Sequence, residues 1–212
     1  MCFSATASFI AGTGLTAVGI VTLQMASRRI EVPFAAIPLL FGVQQLIEGF
    51  IWLSLRQEPI ADATLTLLYS LFSHVLWPIY IPFAVRLLET VPWRRNAMAV
   101  CQAIGLAVGL YLLYFIVGFP VTARVVEGHI AYESPHFYAI PTMVMYLIGT
   151  CAGSIFSSSR IIQVFGALAF VTFLAAYAIH VATFFSVWCF FAAILSLIVL
   201  IYLKQSRLGA HA

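Results

Sequence analysis

The chain has 212 residues, of which only ten are Lys or Arg and seven Asp or Glu, for a formal net charge of +3. Hydrophobic residues make up 63%, aromatics 15% and charged residues 8%, and the mean hydropathy is +1.07. A soluble globule cannot hide that much apolar surface, so a soluble enzyme, a nucleic-acid-binding domain and a disordered chain are excluded, and lipid is the expected solvent and partner.

Long unbroken apolar runs, rather than alternating segments of about ten residues, point to helices and not to a membrane β-barrel. The expected fold is all-α: a single polytopic helix bundle over residues 1–212 with seven spans. Polar breaks place these spans at about 7–26, 33–55, 62–86, 97–118, 137–156, 160–181 and 185–203. The turn between the last two is required by length, since 161–203 would otherwise cross twice at ~1.5 Å per residue. Residues 119–136 form the longest loop. Its β-formers from Val121 to Val126, the Glu127-Gly128 turn and the run from His129 to Tyr132 predict a short hairpin over the mouth of the bundle.

Seven spans place Arg28, Arg29, Arg86, Arg94, Arg95, Arg160, Lys204 and Arg207 at one side, and only Arg56 and Arg124 at the other. The positive-inside rule then puts the N-terminus outside and the C-terminus in the cytoplasm. The opening lacks a basic region, so no cleaved signal peptide is expected, and Cys2 stays on the outer side. The four cysteines have no paired spacing, and Cys101 and Cys151 read as core residues. Gly105 and Gly109, and Gly149 and Gly153, have the spacing of close helix packing. Phe184, Phe185 and Trp188 read as an outer aromatic belt, with Trp93 and Tyr202 as the inner one.

An ionisable side chain in hydrocarbon is costly and marks a functional site by default. Here the candidates are Glu48, His74 and His180, with Gln44 and Gln45 as neutral companions. Glu48 lies ~22 Å from the inner end of its span and His74 ~18 Å from the outer end of its own at the helical rise. Both, with His180, Cys2 and Cys189, fall toward the outer half. Gln44 and Glu48 share a helix face, as do Ser70 and His74, and Tyr177 lies near His180. Two imidazoles and a carboxylate suit a divalent metal, zinc above all, with one position open for water. In that reading Glu48, His74, His180 and Cys2 are candidate ligands, Ser70 orients the water, and Glu48 is the alternative general base. The same residues suit a small-solute transporter or a proton relay without metal, a His74–Glu48 pair suits structure alone, and His74 with His180 is the only candidate haem pair. Pro78 removes the donor that would reach the carbonyl of His74, four residues back, giving a further ligand or a plain kink. His129, His136, Glu127 and Glu133 read as a solvated loop face, with a lid over the site as the other reading.

The stretches Met1-Cys2-Phe3-Ser4-Ala5-Thr6, Leu40 to Gly49, Leu71 to Pro78 and Ser186 to Phe191 together resemble an uncharacterised family of small bacterial integral membrane proteins. That resemblance implies a multi-pass protein of the bacterial inner membrane and no known activity. Ser70-x-x-x-His74 also resembles one motif of the seven-helix zinc hydrolases of the alkaline ceramidase and adiponectin-receptor type. This second resemblance implies a metal-dependent hydrolase acting on a lipid-soluble or periplasmic small molecule. Their late His-x-x-x-His is not matched, because Phe184 follows His180, so Glu48 or Cys2 would replace a ligand.

Overall fold

A computed structural model describes residues 4–133, 139–179 and 183–210. Cys2, His136 and His180 lie outside these described residues, as do positions 181 and 182 of the turn expected between the last two spans. Among the described residues the chain is all-α apart from one hairpin. Its helices in order are α1 (Ala5–Met25), α2 (Arg29–Ser54), α3 (Ala63–Leu88), α4 (Pro92–Gly118), α5 (Ala139–Ile155), α6 (Arg160–Ile179) and α7, whose segments Phe184–Leu195 and Ile198–Ala210 meet at a break at Ser196 and Leu197. Among the described residues, six helices are long and apolar enough to cross a membrane, and α5 is a shorter apolar helix. These are the helices of a multi-pass membrane protein. Side chains such as Ile10, Val100, Leu110, Val117, Val171 and Ile201 face outward, where lipid replaces water as their solvent.

Helix starts have local causes. The Ser4 hydroxyl accepts from the Ala7 amide at 3.2 Å, and the Asp62 carboxylate from the Leu65 amide at 3.0 Å, each satisfying an orphan donor of the first turn. Pro92 begins α4 at a position that needs no amide. Hence α4 starts five residues before the sequence reading at 97, and α2 starts at Arg29 through a short 3-10 turn.

Helices α1 and α2 pack along small residues. A Cβ on Gly19 would lie 2.4 Å from the Leu39 amide nitrogen, and one on Gly42 2.6 Å from Thr16 Oγ1. A second close crossing joins α3, α4 and α5. A Cβ on Gly105 would lie 1.9 Å from the Pro78 carbonyl oxygen, and one on Gly149 2.7 Å from Gly105 Cα.

The basic end of the bundle is fastened by two buried carboxylates. Glu31 accepts from Arg28 Nη2 at 2.8 Å, the Ser27 amide at 3.0 Å and the Ser206 hydroxyl at 2.9 Å, tying α2 to α7. Glu89 accepts from the amides of Thr90, Val91 and Ser158 at 3.0, 2.9 and 2.6 Å, and from the Ser158 hydroxyl. It thus joins the α3–α4 turn to the α5–α6 turn. Tyr202 lies in the electrostatic field of both carboxylates, which places them at one end.

At the opposite end, β1 (Thr122–Val126) and β2 (His129–Glu133) form the expected antiparallel hairpin, with Val126 opposite His129. Glu127 and Gly128 have φ of 49° and 77°, the two positive values of a type I′ turn. The Ala61 amide donates to the Ala123 carbonyl at 3.0 Å. Ala123 and Ile130 pack with Ile51, Ala61 and Tyr69, so the hairpin covers the ends of α2 and α3. The fully solvated loop expected from sequence is corrected in part. Glu127 and Glu133 are exposed, and Glu133 pairs with Arg124, but His129 is buried. His129, Ile130 and Ala131 are all buried, because β2 is covered on both faces, with α7 packed against it as well as the ends of α2 and α3.

Candidate functional site: a buried polar centre

The polar face of α2 meets α3 and α7 close to the hairpin end. Glu48 is six residues from the end of α2, ~9 Å at the helical rise. Tyr69 is the same distance into α3, and Ser186 and Cys189 lie in the first turns of α7. Glu48, Gln44, Gln45, Tyr69, Ser70, Ser73 and Ser186 are all fully buried.

Three contacts give the centre its geometry. The Ser186 hydroxyl donates to Glu48 Oε1 at 2.6 Å. One turn back along α2, Gln44 Oε1 accepts from Trp77 Nε1 at 2.7 Å, and the Trp77 ring stacks on Phe41 at 3.8 Å between centroids. Cys189, three residues after Ser186 on the same helix, is buried near Gln44, Tyr69 and Glu48. A carboxyl, an amide, a phenol, a hydroxyl and a thiol from three helices therefore share one place.

His74 is buried in α3 and its Nδ1 lies 2.7 Å from the Ser73 hydroxyl. It sits in a π-helical stretch, Leu71–Leu76, and a second such stretch, Ile148–Ala152, lies in α5. π-Helical turns inside α-helices are frequent at functional sites. The wider register moves the acceptor that Pro78 vacates. Trp77 N–H donates to the Phe72 carbonyl, five residues back. The next donor in that register would serve Ser73, but residue 78 is proline. The Tyr146 hydroxyl of α5 donates to that carbonyl instead. The carbonyl of Ser73, beside the His74 carbonyl expected from α-helical spacing to be freed, thus acts as a link between helices.

The expected site residues separate into three groups. Glu48 and His74 are buried on neighbouring helices, Glu48 tied to α7 and His74 to the adjoining Ser73. Ser70 is fully buried, and its hydroxyl has no hydrogen-bond partner among the described residues. Cys2 and His180 lie outside the described residues. Among the described residues, no group of three His, Cys, Asp or Glu side chains is arranged to hold a metal ion. Tyr177 is exposed and not part of this centre. Trp188 is corrected from outer belt to core: it is 5% exposed, donates to the Ala169 carbonyl at 2.9 Å and packs edge-on against Tyr146.

Sequence reasoning gave Tyr69, Tyr146 and Ser186 no role in the site. The spacing of Ser186 and Cys189 was the one available signal, since residues three apart share a helix face. No local pattern announces Tyr146, whose partner is 73 residues away.

The whole chain, residues 1–212, matches the family described as a family of unknown function, DUF6629. No curated protein and no solved structure matches it. The partial likeness to seven-helix zinc hydrolases therefore finds no support from relatives.

Proposed function

The chain belongs to the family of unknown function DUF6629, and we propose that it is a multi-pass membrane protein whose Glu48 centre exchanges protons in support of small-solute transport. The contact that carries this reading is the buried hydrogen bond from Ser186 to Glu48 at 2.6 Å. A carboxyl can accept and release a proton, and a hydroxyl can donate to its charged form and rotate to accept from its neutral form. That pair joins α2 to α7, so a change in the protonation of Glu48 would alter the contact between them. His74, with Ser73 on Nδ1, is a second proton acceptor in the same interior. The basic end is the cytoplasmic end by the positive-inside rule, which puts the centre in the outer half with the N-terminus outside.

A metal-dependent hydrolase built on Glu48, His74, His180 and Cys2 is the competing reading, and purified protein separates the two. Proton flux into vesicles reconstituted with the protein, lost in Glu48→Gln, supports proton exchange. Flux equal in the variant and the wild type rejects it. Zinc bound in stoichiometric amount by wild type and lost in His74→Ala would replace this reading with the metal one.

A further inference from the structure

A cavity of about 30 Å³ lies inside the bundle where α2, α3, α5, α6 and α7 meet. The aromatic side chains of Phe41, Trp77, Phe165 and Trp188 line it, together with two free thiols, Cys151 of α5 and Cys189 of α7. Two π-helical stretches border it. Thr150 and Cys151 belong to the one in α5, and Trp77 directly follows the one in α3. Such turns recur at functional sites. Cys189 is shared with the polar centre, so the cavity is the apolar neighbour of that centre.

Apart from the thiols, the side-chain donors on the wall are engaged elsewhere. Trp77 Nε1 donates to Gln44 Oε1 at 2.7 Å, and Trp188 Nε1 to the Ala169 carbonyl at 2.9 Å. The Tyr146 hydroxyl donates to the Ser73 carbonyl, and the Thr150 hydroxyl to the Tyr146 carbonyl at 2.8 Å. Among the described residues, no Asp, Glu, Lys, Arg or His lines the cavity. A buried water needs about two to four polar partners, and thiols are weak ones. A charged guest would lose its hydration with nothing to replace it. An apolar guest instead gains dispersion contacts with aromatic rings and polarisable sulfur.

Size narrows the class of guest. An apolar cavity of roughly 150 Å³ stays dry and takes up benzene or xenon, so one of about 30 Å³ admits about two heavy atoms. We infer that this cavity binds a small uncharged apolar molecule, of the size of a dissolved gas, with Cys151 and Cys189 at its wall. The surrounding lipid, where such molecules concentrate, supplies it. The inference stands apart from the proton reading of Glu48.

Xenon, a single apolar atom, is the direct probe. In crystals of the purified protein pressurised with xenon, one atom is expected between α5 and α7 beside the two thiols. It should be lost in Ala169→Val, whose added methyl groups fill the cavity, and Ala192→Val on the facing wall serves if that variant does not fold. No xenon at this place in wild type overturns the inference, as does xenon retained in a folded filling variant. The thiols give a second readout in detergent, mapped by mass spectrometry. Methyl methanethiosulfonate, small and uncharged, should modify Cys151 and Cys189 severalfold faster than Cys101, which is also buried but lies outside the cavity. Cys101 reacting as fast as the other two, or the charged sulfonatoethyl reagent reacting as fast as the neutral one, overturns the inference as well.

Discussion

The hydroxyl of Tyr146 donates to the main-chain carbonyl of Ser73, filling the place left by the missing amide of Pro78. The bond joins α5 to the π-helical turn of α3 that carries His74. Tyr146→Phe keeps the ring packed on Trp188 and leaves a buried carbonyl unmet. The expected loss is about 1–3 kcal/mol, seen as a lower melting temperature in detergent. Tyr114→Phe is the control, since Tyr114 is 68% exposed, and it should melt like wild type.

Gly105 sits where three helices cross, and a Cβ there would overlap the Pro78 carbonyl oxygen. Gly105→Ala must push α4 from α3, at about 1–3 kcal/mol or more for an overpacked site. Gly14 has nothing within 4 Å of the corresponding position, and Gly14→Ala should be neutral or slightly stabilising through helix propensity. Melting curves that shift alike for both variants would contradict the close crossing.

Glu89 links two turns at the basic end through three amides and a hydroxyl. Burial pushes its pKa up, but the hydrogen bonds from Ser158, Val91 and Thr90 prevail and hold it below the usual 4.5. The unfolded chain then binds the proton at a higher pH than the folded one. The stabilisation is present above about pH 4.5 and is lost as pH falls through the lowered folded value. Glu89→Gln should destabilise at neutral pH and flatten the acid limb of a melting-temperature profile. An unchanged acid limb would rule out this carboxylate as its source.

The hairpin turn holds Glu127 and Gly128 at positive φ. Gly128→Ala places a Cβ in a left-handed conformation and is expected to cost about 1–2 kcal/mol. Glu127→Asn should stabilise, because asparagine tolerates that conformation. Limited proteolysis of the turn reads both: cleavage faster in the first and slower in the second.

Ser186→Ala removes the donor to Glu48 Oε1 while deleting a single oxygen. The buried acceptor then loses about 1–3 kcal/mol of stabilisation. Under the proposed function, Ser186→Ala also slows proton flux, and Ser186→Thr, which retains a hydroxyl, recovers part of it. Flux that tracks melting temperature rather than the hydroxyl would make Ser186 structural only.

The membrane class, the positions of the helices and the hairpin were legible in the linear sequence. Each rests on interactions within about twenty residues: apolar runs of spanning length bounded by polar breaks, and β-formers flanking Glu127-Gly128. Burial of Glu48, His74 and Ser70 was legible too, because a polar residue within an apolar span has few places to go. Their partners were not. Ser186 reaches Glu48 across 138 residues and Tyr146 reaches Ser73 across 73, and both pairings depend on which helices touch and how each is rotated. The π turn in α3 set the Ser73 carbonyl against Tyr146, and the packing of β2 on both faces buried His129. Composition and periodicity determine that a chain must form apolar helices and roughly where they begin and end. Only their packing decides which polar groups meet, because a hydrogen bond needs atoms within about 3 Å and a helix can turn any of its faces to its neighbour.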